Sequence, residues 1–407
     1  MHDVVIVGAR CGGAATALHL ARQGHRVLLV DQARFPSDVR LSTHLIWHAG
    51  VDLLDEWGLL TRLVDSGCPL LRDMKLDMGE LTVRGTPPHT RVGAAMAPRR
   101  VVLDQVLLDA AREAGADVLE GFTLTGVVRD AAGRVTGVQG RLADGGERAL
   151  PARFVVGADG THSPLARAVN AATLVAQDKD AGSHNVYAYF DDLPLDEVEF
   201  HSRPERMFYA WHTHHGQTLV GLIRPGRAGR VPQAEAGAVF LRECEALAPT
   251  LASKVKRARL ASDWTAVSTG THRRQASGAG WALVGDAGAT IDPITAAGIT
   301  GALRDARLLA GLLHEGLSGQ HPMDEAMADY GPERDRMGEP LHQFAQDMAQ
   351  LLPPPPEMLP VFAALAQQPH QADRYFGLFG QTVMPADFFS PENLSAILSA
   401  GSPNASA

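Results

Sequence analysis

The residues able to do chemistry gather in glycine- and aspartate-rich turns, and the first of these lies within residues 4–31, VVIVGARCGGAATALHLARQGHRVLLVD. Gly8, Gly12 and Gly13 let a backbone turn approach an anion closely, and Asp31 offers a carboxylate that can accept hydrogen bonds from ribose hydroxyls. Glycines followed about 20 residues later by an acid suit a dinucleotide, with its pyrophosphate at the turn and its adenosine at the carboxylate. One position departs from G-x-G-x-x-G: Gly8 and Gly13 match the first and third glycines, but Arg10 stands at the second. Two readings follow. Either Gly12 and Gly13 supply the clearance, or the Arg10 guanidinium itself meets a phosphate.

Such groups need a strand–turn–helix–strand frame, and the sequence supplies one. Val4-Val5-Ile6-Val7 is a short β-branched run expected as a buried parallel strand. Residues 14–22 are Ala/Leu-rich without a breaker, Gly24 stops the helix, and Val27-Leu28-Leu29-Val30 delivers Asp31. Two further apolar runs end in similar turns: 154–157 before Asp159-Gly160 in GADGTHS, and 281–284 before Gly285-Asp286 in GDAGATIDPITAAGI. A helix is predicted over 298–313, and another from Arg100 to about Ala114 with Leu103, Val106, Leu107 and Ala110 on one face. Residues 45–63 read as one helix. Segments 118–120, 124–129 and 135–141 read as a small β-meander. Alternation over 73–84 predicts a hairpin, and 187–190, 207–212 and 218–223 predict further strands, with a helix at 238–247. From about 321 the chain is mostly helical, interrupted by Pro353–Pro356, which read as a rigid connector.

Composition narrows the partners. With 407 residues, 45% apolar and 20% charged, the chain can build several sizeable cores. A net charge of −9 argues against a nucleic-acid partner, whose phosphates require a basic surface. Cys11, Cys68 and Cys244 are too scattered for a disulfide framework or a zinc site, which suggests a reducing cytoplasm. No apolar run reaches membrane-spanning length, and the first strand begins too early for a signal peptide to precede it.

The ordered trio GARCGG, GADGTHS and GDAGATIDPITAAGI, with Arg100-Val101-Val102-Leu103 between the first two, closely resembles the flavoprotein hydroxylases of the para-hydroxybenzoate hydroxylase family. Flavin halogenases and geranylgeranyl reductases are relatives, and the resemblance extends to about residue 320. It implies an α/β fold of the glutathione-reductase type: an FAD-binding Rossmann domain, an antiparallel-sheet substrate domain and C-terminal helices. The expected boundaries alternate, with FAD-binding parts at 1–73, 99–175 and 266–320, substrate parts at 74–98 and 176–265, and a helical region at 321–407. The resemblance also places Gly8, Gly12, Gly13 and Asp31 on the ADP half of FAD, and Arg100, with Arg40 as a looser match, on its phosphate or ribityl region. Asp159 and Gly160 match a motif tied to FAD and NAD(P)H. By the same resemblance Asp286 would bind the ribityl hydroxyls and Pro293 and Gly298 would border the isoalloxazine, with Gly285, Ala297 and Ile299 as further candidate cofactor contacts. A helix starting near Gly298 would aim its N–H groups at the reduced flavin's negative charge.

Four outcomes fit such a scaffold. The leading one is an NAD(P)H-using monooxygenase that hydroxylates or epoxidises a small aromatic or polyketide-like substrate with molecular oxygen, through a flavin C4a-hydroperoxide. Thr43, His44 and Pro293 are the candidate groups near the reacting centre, with Tyr189, Phe208 and Trp211 lining the substrate. A geranylgeranyl-type reductase is the alternative, although Ser42-Thr43-His44 stand where it would carry Cys-Gly. A halogenase would use a lysine such as Lys75, but its W-x-W-x-I-P motif is missing: the local residues are Phe208-Tyr209-Ala210-Trp211-His212. A non-catalytic FAD-binding protein is the fourth. His212 and His214 have no suitably spaced carboxylate or cysteine, so no metal is expected, and the basic run at 254–259 reads as solvated surface.

Overall fold

The computed structural model describes residues 1–39, 42–88 and 91–400; Arg40 lies outside them. Parallel strands run in the order Trp281–Leu283, Glu147–Gly157, His2–Val7, Val27–Asp31 and Asp117–Glu120. Their register places Val7 beside Gly157 and Val30, and Gly157 beside Leu283. The three glycine turns therefore emerge side by side at the carboxyl edge, where open α/β sheets bind ligands. The helices Cys11–Arg22, Arg100–Glu113 and Gly298–Ser318 cover one face with Leu18, Leu103, Leu107, Leu303 and Leu309, all fully buried.

Three elements differ from expectation. Residues 118–120 pair with the strand ending at Asp31 and so belong to the parallel sheet. The apolar run at 154–157 is the second half of Glu147–Gly157, whose first half pairs with Val135–Leu142 in the meander. A strand that switches partners midway has no sequence break to reveal it. The helix expected over 45–63 is two, His48–Glu56 and Leu60–Asp65, because Gly58 adopts a left-handed φ of 76° between them.

A second sheet runs Arg259–Leu260, Ser183–Asp191, Thr218–Pro225, Arg206–His212, Val198–Arg203, Met74–Asp77 and Thr82–Gly85. Neighbours are antiparallel except Val198–Arg203 with Met74–Asp77, which are parallel. Alternation splits the side chains. Met74, Leu76, Tyr209 and Trp211 join one core with the C-terminal helices, while Val186, Phe208 and Val220 join another with Ala236–Leu247 and Pro249–Arg257. Lys254, in the expected surface run, instead reaches Glu199 at 2.7 Å, and Glu199 is 2% exposed. A buried carboxylate needs a countercharge, and this lysine is part of it.

Candidate active site

A cavity of about 660 Å³ lies at the carboxyl edge of the parallel sheet, lined by Gly8, Arg10, Gly12, Asp31, His44, Arg100, Asp159, Gly160, Gly285, Asp286, Gly298 and Ile299, among others. Gly8 has φ +105°, and a Cβ there would sit 2.3 Å from the Ala158 carbonyl. Gly13 is behind the wall, where its Cβ would meet the Gly8 carbonyl at 1.8 Å. These two glycines close the turn onto its neighbours. A Cβ on Gly298 would meet nothing within 4 Å, so that glycine leaves open space above a helix end. Ala297, the N-cap residue, provides no side-chain cap, and neither does Arg10 before Cys11–Arg22. Both helix starts thus offer uncapped N–H groups to an acceptor.

The carboxylates differ in what they already hold. Asp31 accepts the Ala9 and Ala33 N–H groups, each at 2.8 Å, which fixes its oxygens at the cavity rim. Asp159 accepts the Ser163 hydroxyl at 2.5 Å and the Leu165 N–H at 2.9 Å, so it caps its own turn while lining the cavity. The Asp286 carboxylate has no hydrogen-bond partner among the described residues. It is open to the cavity yet walled by protein, and this burial raises its pKa against the opposing pull of Arg100. An acid without a hydrogen-bond partner that opens onto the cavity suits the hydroxyls of a ribityl chain.

One residue that the sequence reading missed organises the arginines. Asp104 is fully buried and accepts from Arg10 Nη1 at 3.0 Å, from Arg100 Nη2 at 3.0 Å and from the Cys11 thiol at 3.3 Å. Arg10 also donates to Ser37 Oγ at 3.1 Å. Two guanidinium groups are thereby fixed beside the glycine turn, each with donors left for a phosphate. The helical spacing of Arg100 and Asp104 was a readable signal for half of this cluster. The uncapped helix ends, the open glycine, the free acid and the paired arginines fit FAD.

A second cavity of about 480 Å³ adjoins the first; Thr43, Asn185, Pro293 and Ala296 line both. Its other walls include Trp47, Phe200, Tyr209, Trp211, Phe344, Tyr375, Phe376 and Phe379, with Leu352 and Pro353 to Pro355 also in the lining. Trp211, expected at the substrate, and Pro293, expected near the reacting centre, line this cavity. Phe208 does not. It lies on the opposite sheet face against Phe240, because successive residues of a strand alternate sides. Tyr189 is absent from this lining and instead hydrogen-bonds His44 Nε2, with the Arg99 guanidinium 3.9 Å above its ring. His44 is 3% exposed, and burial, then the charges of Arg99 and Arg100, hold its pKa well below the usual range. Its imidazole is neutral, and of the Thr43-His44 pair only Thr43 reaches both cavities. Ala297 lies one residue outside the flavin-side wall, its carbonyl accepting from Gln381.

Other candidates have settled partners. Lys75 faces away from the aromatic cavity, 3.5 Å from Glu199 and 3.9 Å from Glu197. His212 contacts Thr218 Oγ1, and His214 accepts from the Arg99 N–H and contacts Ser66 Oγ. Among the described residues no group of His, Cys, Asp and Glu could hold a metal, and no helix is long and apolar enough to cross a membrane.

Known proteins resemble this chain in sequence or in fold. The menaquinone reductase of Mycobacterium tuberculosis is 36% identical over 170 residues, a match spanning 40% of this chain and 39% of that protein. The digeranylgeranylglycerophospholipid reductase of Methanocella arvoryzae is 26% identical over 349 residues, 84% of each. Among solved structures, the flavin-dependent brominase Bmp2 superposes with a TM-score of 0.79 at 17% identity over 98% of each chain. PqsL, a probable FAD-dependent monooxygenase from Pseudomonas aeruginosa, gives 0.71 at 23% identity, over 93% of this chain and 99% of that one. The structural likenesses establish the fold. The family model of the FAD binding domain matches residues 1–345, so this chain belongs to that family and is an FAD-dependent oxidoreductase.

Proposed function

We propose that the protein is an NAD(P)H-using monooxygenase that adds one atom of molecular oxygen to a small aromatic substrate. The observation that carries the reading is the wall shared by a glycine-lined cavity and an aromatic one, at Thr43, Asn185, Pro293 and Ala296. FAD, when bound, supplies hydride acceptance and oxygen activation. The chain supplies position and dryness. Asp31, Asp286 and the Arg10–Asp104–Arg100 cluster hold the cofactor's polar parts. Thr43 and Asn185 place hydrogen-bonding groups at the meeting point. Asp292, which accepts Ser183 Oγ at 2.6 Å and the Ile294 N–H at 3.0 Å, ties the aromatic sheet to the loop before Gly298. The aromatic walls exclude water that would otherwise drain the oxidising equivalent.

Lys75 on the far sheet face disfavours halogenation, since a relay lysine has to enter the substrate cavity. The test is a substrate screen scored by stimulated NAD(P)H oxidation and product mass. A gain of one oxygen is expected. Saturated double bonds without added oxygen would replace this reading with a reductase, in line with the similarity to the archaeal lipid reductase.

A further inference from the structure

The aromatic cavity has a charge preference written into its walls. Among its described lining residues there is no Arg, Lys or His, and the only acid is Asp347, exposed at the mouth. The walls' polar atoms are largely engaged within the protein. Trp47 Nε1 donates to the Thr295 carbonyl at 2.7 Å, Trp211 Nε1 to the Thr43 carbonyl at 3.3 Å, and the Tyr209 hydroxyl to Asn185 Oδ1 at 2.8 Å. What faces a ligand is mainly ring surface, with the Tyr375 hydroxyl, the Asn185 amide N–H and the hydroxyls of Thr43 and Ser202 as handles. Arg227 reaches the same helix end as Asp347, but it is engaged with the Gln350 carbonyl at 2.6 Å and Glu205 at 3.0 Å. Asp347 accepts from Gln343 at 2.9 Å and has no cationic partner among the described residues.

A carboxylate or phosphate entering here would lose its water and find no countercharge to replace it. Flat neutral rings lose little and stack on the walls. A protonated amine left at the mouth would meet Asp347. We propose that the substrate is a planar, non-anionic aromatic molecule and that Asp347 sets the sign of charge tolerated at the entrance. The inference rests on the aromatic cavity being the substrate site of the proposed reaction.

The FAD-loaded full chain, without NAD(P)H, is titrated calorimetrically with 2-naphthoate, 2-naphthamide and 2-(aminomethyl)naphthalene. The amide and the amine are expected to bind at least about tenfold more tightly than the carboxylate. Asp347→Lys, an exposed change that spares the core, is expected to tighten naphthoate and weaken the amine several-fold each. Equal or tighter naphthoate binding in the unmodified protein overturns the proposal, as does failure of all three to bind. Unchanged affinities in Asp347→Lys overturn the role of Asp347. Because binding is read without turnover, a failure here is distinct from failure of the oxygenation reading, which product mass decides.

Discussion

The two cavities share four residues and are otherwise built by opposite means. The cofactor cavity is made of turns and helix ends. Its walls include glycines, acids and arginines whose positions are fixed by backbone geometry at the edge of a parallel sheet. The aromatic cavity is made of side-chain bulk, contributed by sheet strands, a Pro-rich segment and C-terminal helices distant in sequence. The first fails when one atom is added in the wrong place. The second can absorb a change of shape as long as volume and apolarity are kept.

The sharpest break of that contrast is Gly8→Ala. A Cβ at φ +105°, 2.3 Å from the Ala158 carbonyl, combines backbone strain with a collision against main chain. We expect a loss of about 3 kcal/mol or more, read by denaturant unfolding. Met348→Leu, in the wall of the aromatic cavity, is expected to cost under about 1.5 kcal/mol. Similar costs for the two would end the distinction. Asp286→Ala comes next. It removes the cavity's unpartnered acid, and FAD retention should weaken by roughly 10- to 100-fold, equivalent to about 1.5–3 kcal/mol, measured by dialysis of the holoprotein. Aromatic-ligand binding by the reloaded variant should be unchanged.

The same contrast explains what could be read from the sequence. A glycine turn after an apolar run is a local signal, so Gly8, Asp31, Asp159 and Asp286 could be placed in one site before any coordinates. Arg100 was legible for the same reason, through its position at a helix start. Asp104 was not, because its importance arises from Arg10, which lies far away in sequence and meets it only in the folded chain. The aromatic cavity was harder still. Asn185 sits in Ser183–Asp191, two residues before the segment predicted as strand, and nothing local marks it as a residue common to both cavities. Tyr375 and Phe379 come from the helix Pro369–Gly380, which meets the sheet only in the folded chain. Phe208 was assigned to the pocket together with Trp211, although their spacing of three in one strand puts the two on opposite faces.

A third prediction concerns the boundary between the cavities. His44 is neutral in the folded protein because burial, and then Arg99 and Arg100, depress its pKa, whereas in the unfolded chain it titrates near the ordinary value. As pH falls through about 6.5 the unfolded state gains a proton that the folded state refuses, so stability declines toward acid. His44→Gln removes that term. The stability of the unmodified protein relative to the variant should fall by about 1.4 kcal/mol for each unit below that point, until the folded pKa is reached. A difference that does not change between pH 7.5 and 5.5 would mean that His44 titrates normally and forms no part of the dry wall.

The finest test uses one strand against itself. Trp211 and Phe208 both lie in Arg206–His212, yet Trp211 lines the aromatic cavity while Phe208 packs on Phe240 behind the sheet. Trp211→Leu removes a stacking surface and should weaken an aromatic ligand about fivefold, near 1 kcal/mol, with FAD retention unaltered. Phe208→Leu takes a ring of similar kind from the other face. It should lower stability by about 1 kcal/mol while leaving ligand affinity within about twofold. The pair separates a cavity wall from a general dependence on sheet integrity, because a destabilised sheet would shift both affinities together. If Phe208→Leu weakened the ligand as much as Trp211→Leu, the ligand would be bound on the helix-covered face and the aromatic cavity would lose its role.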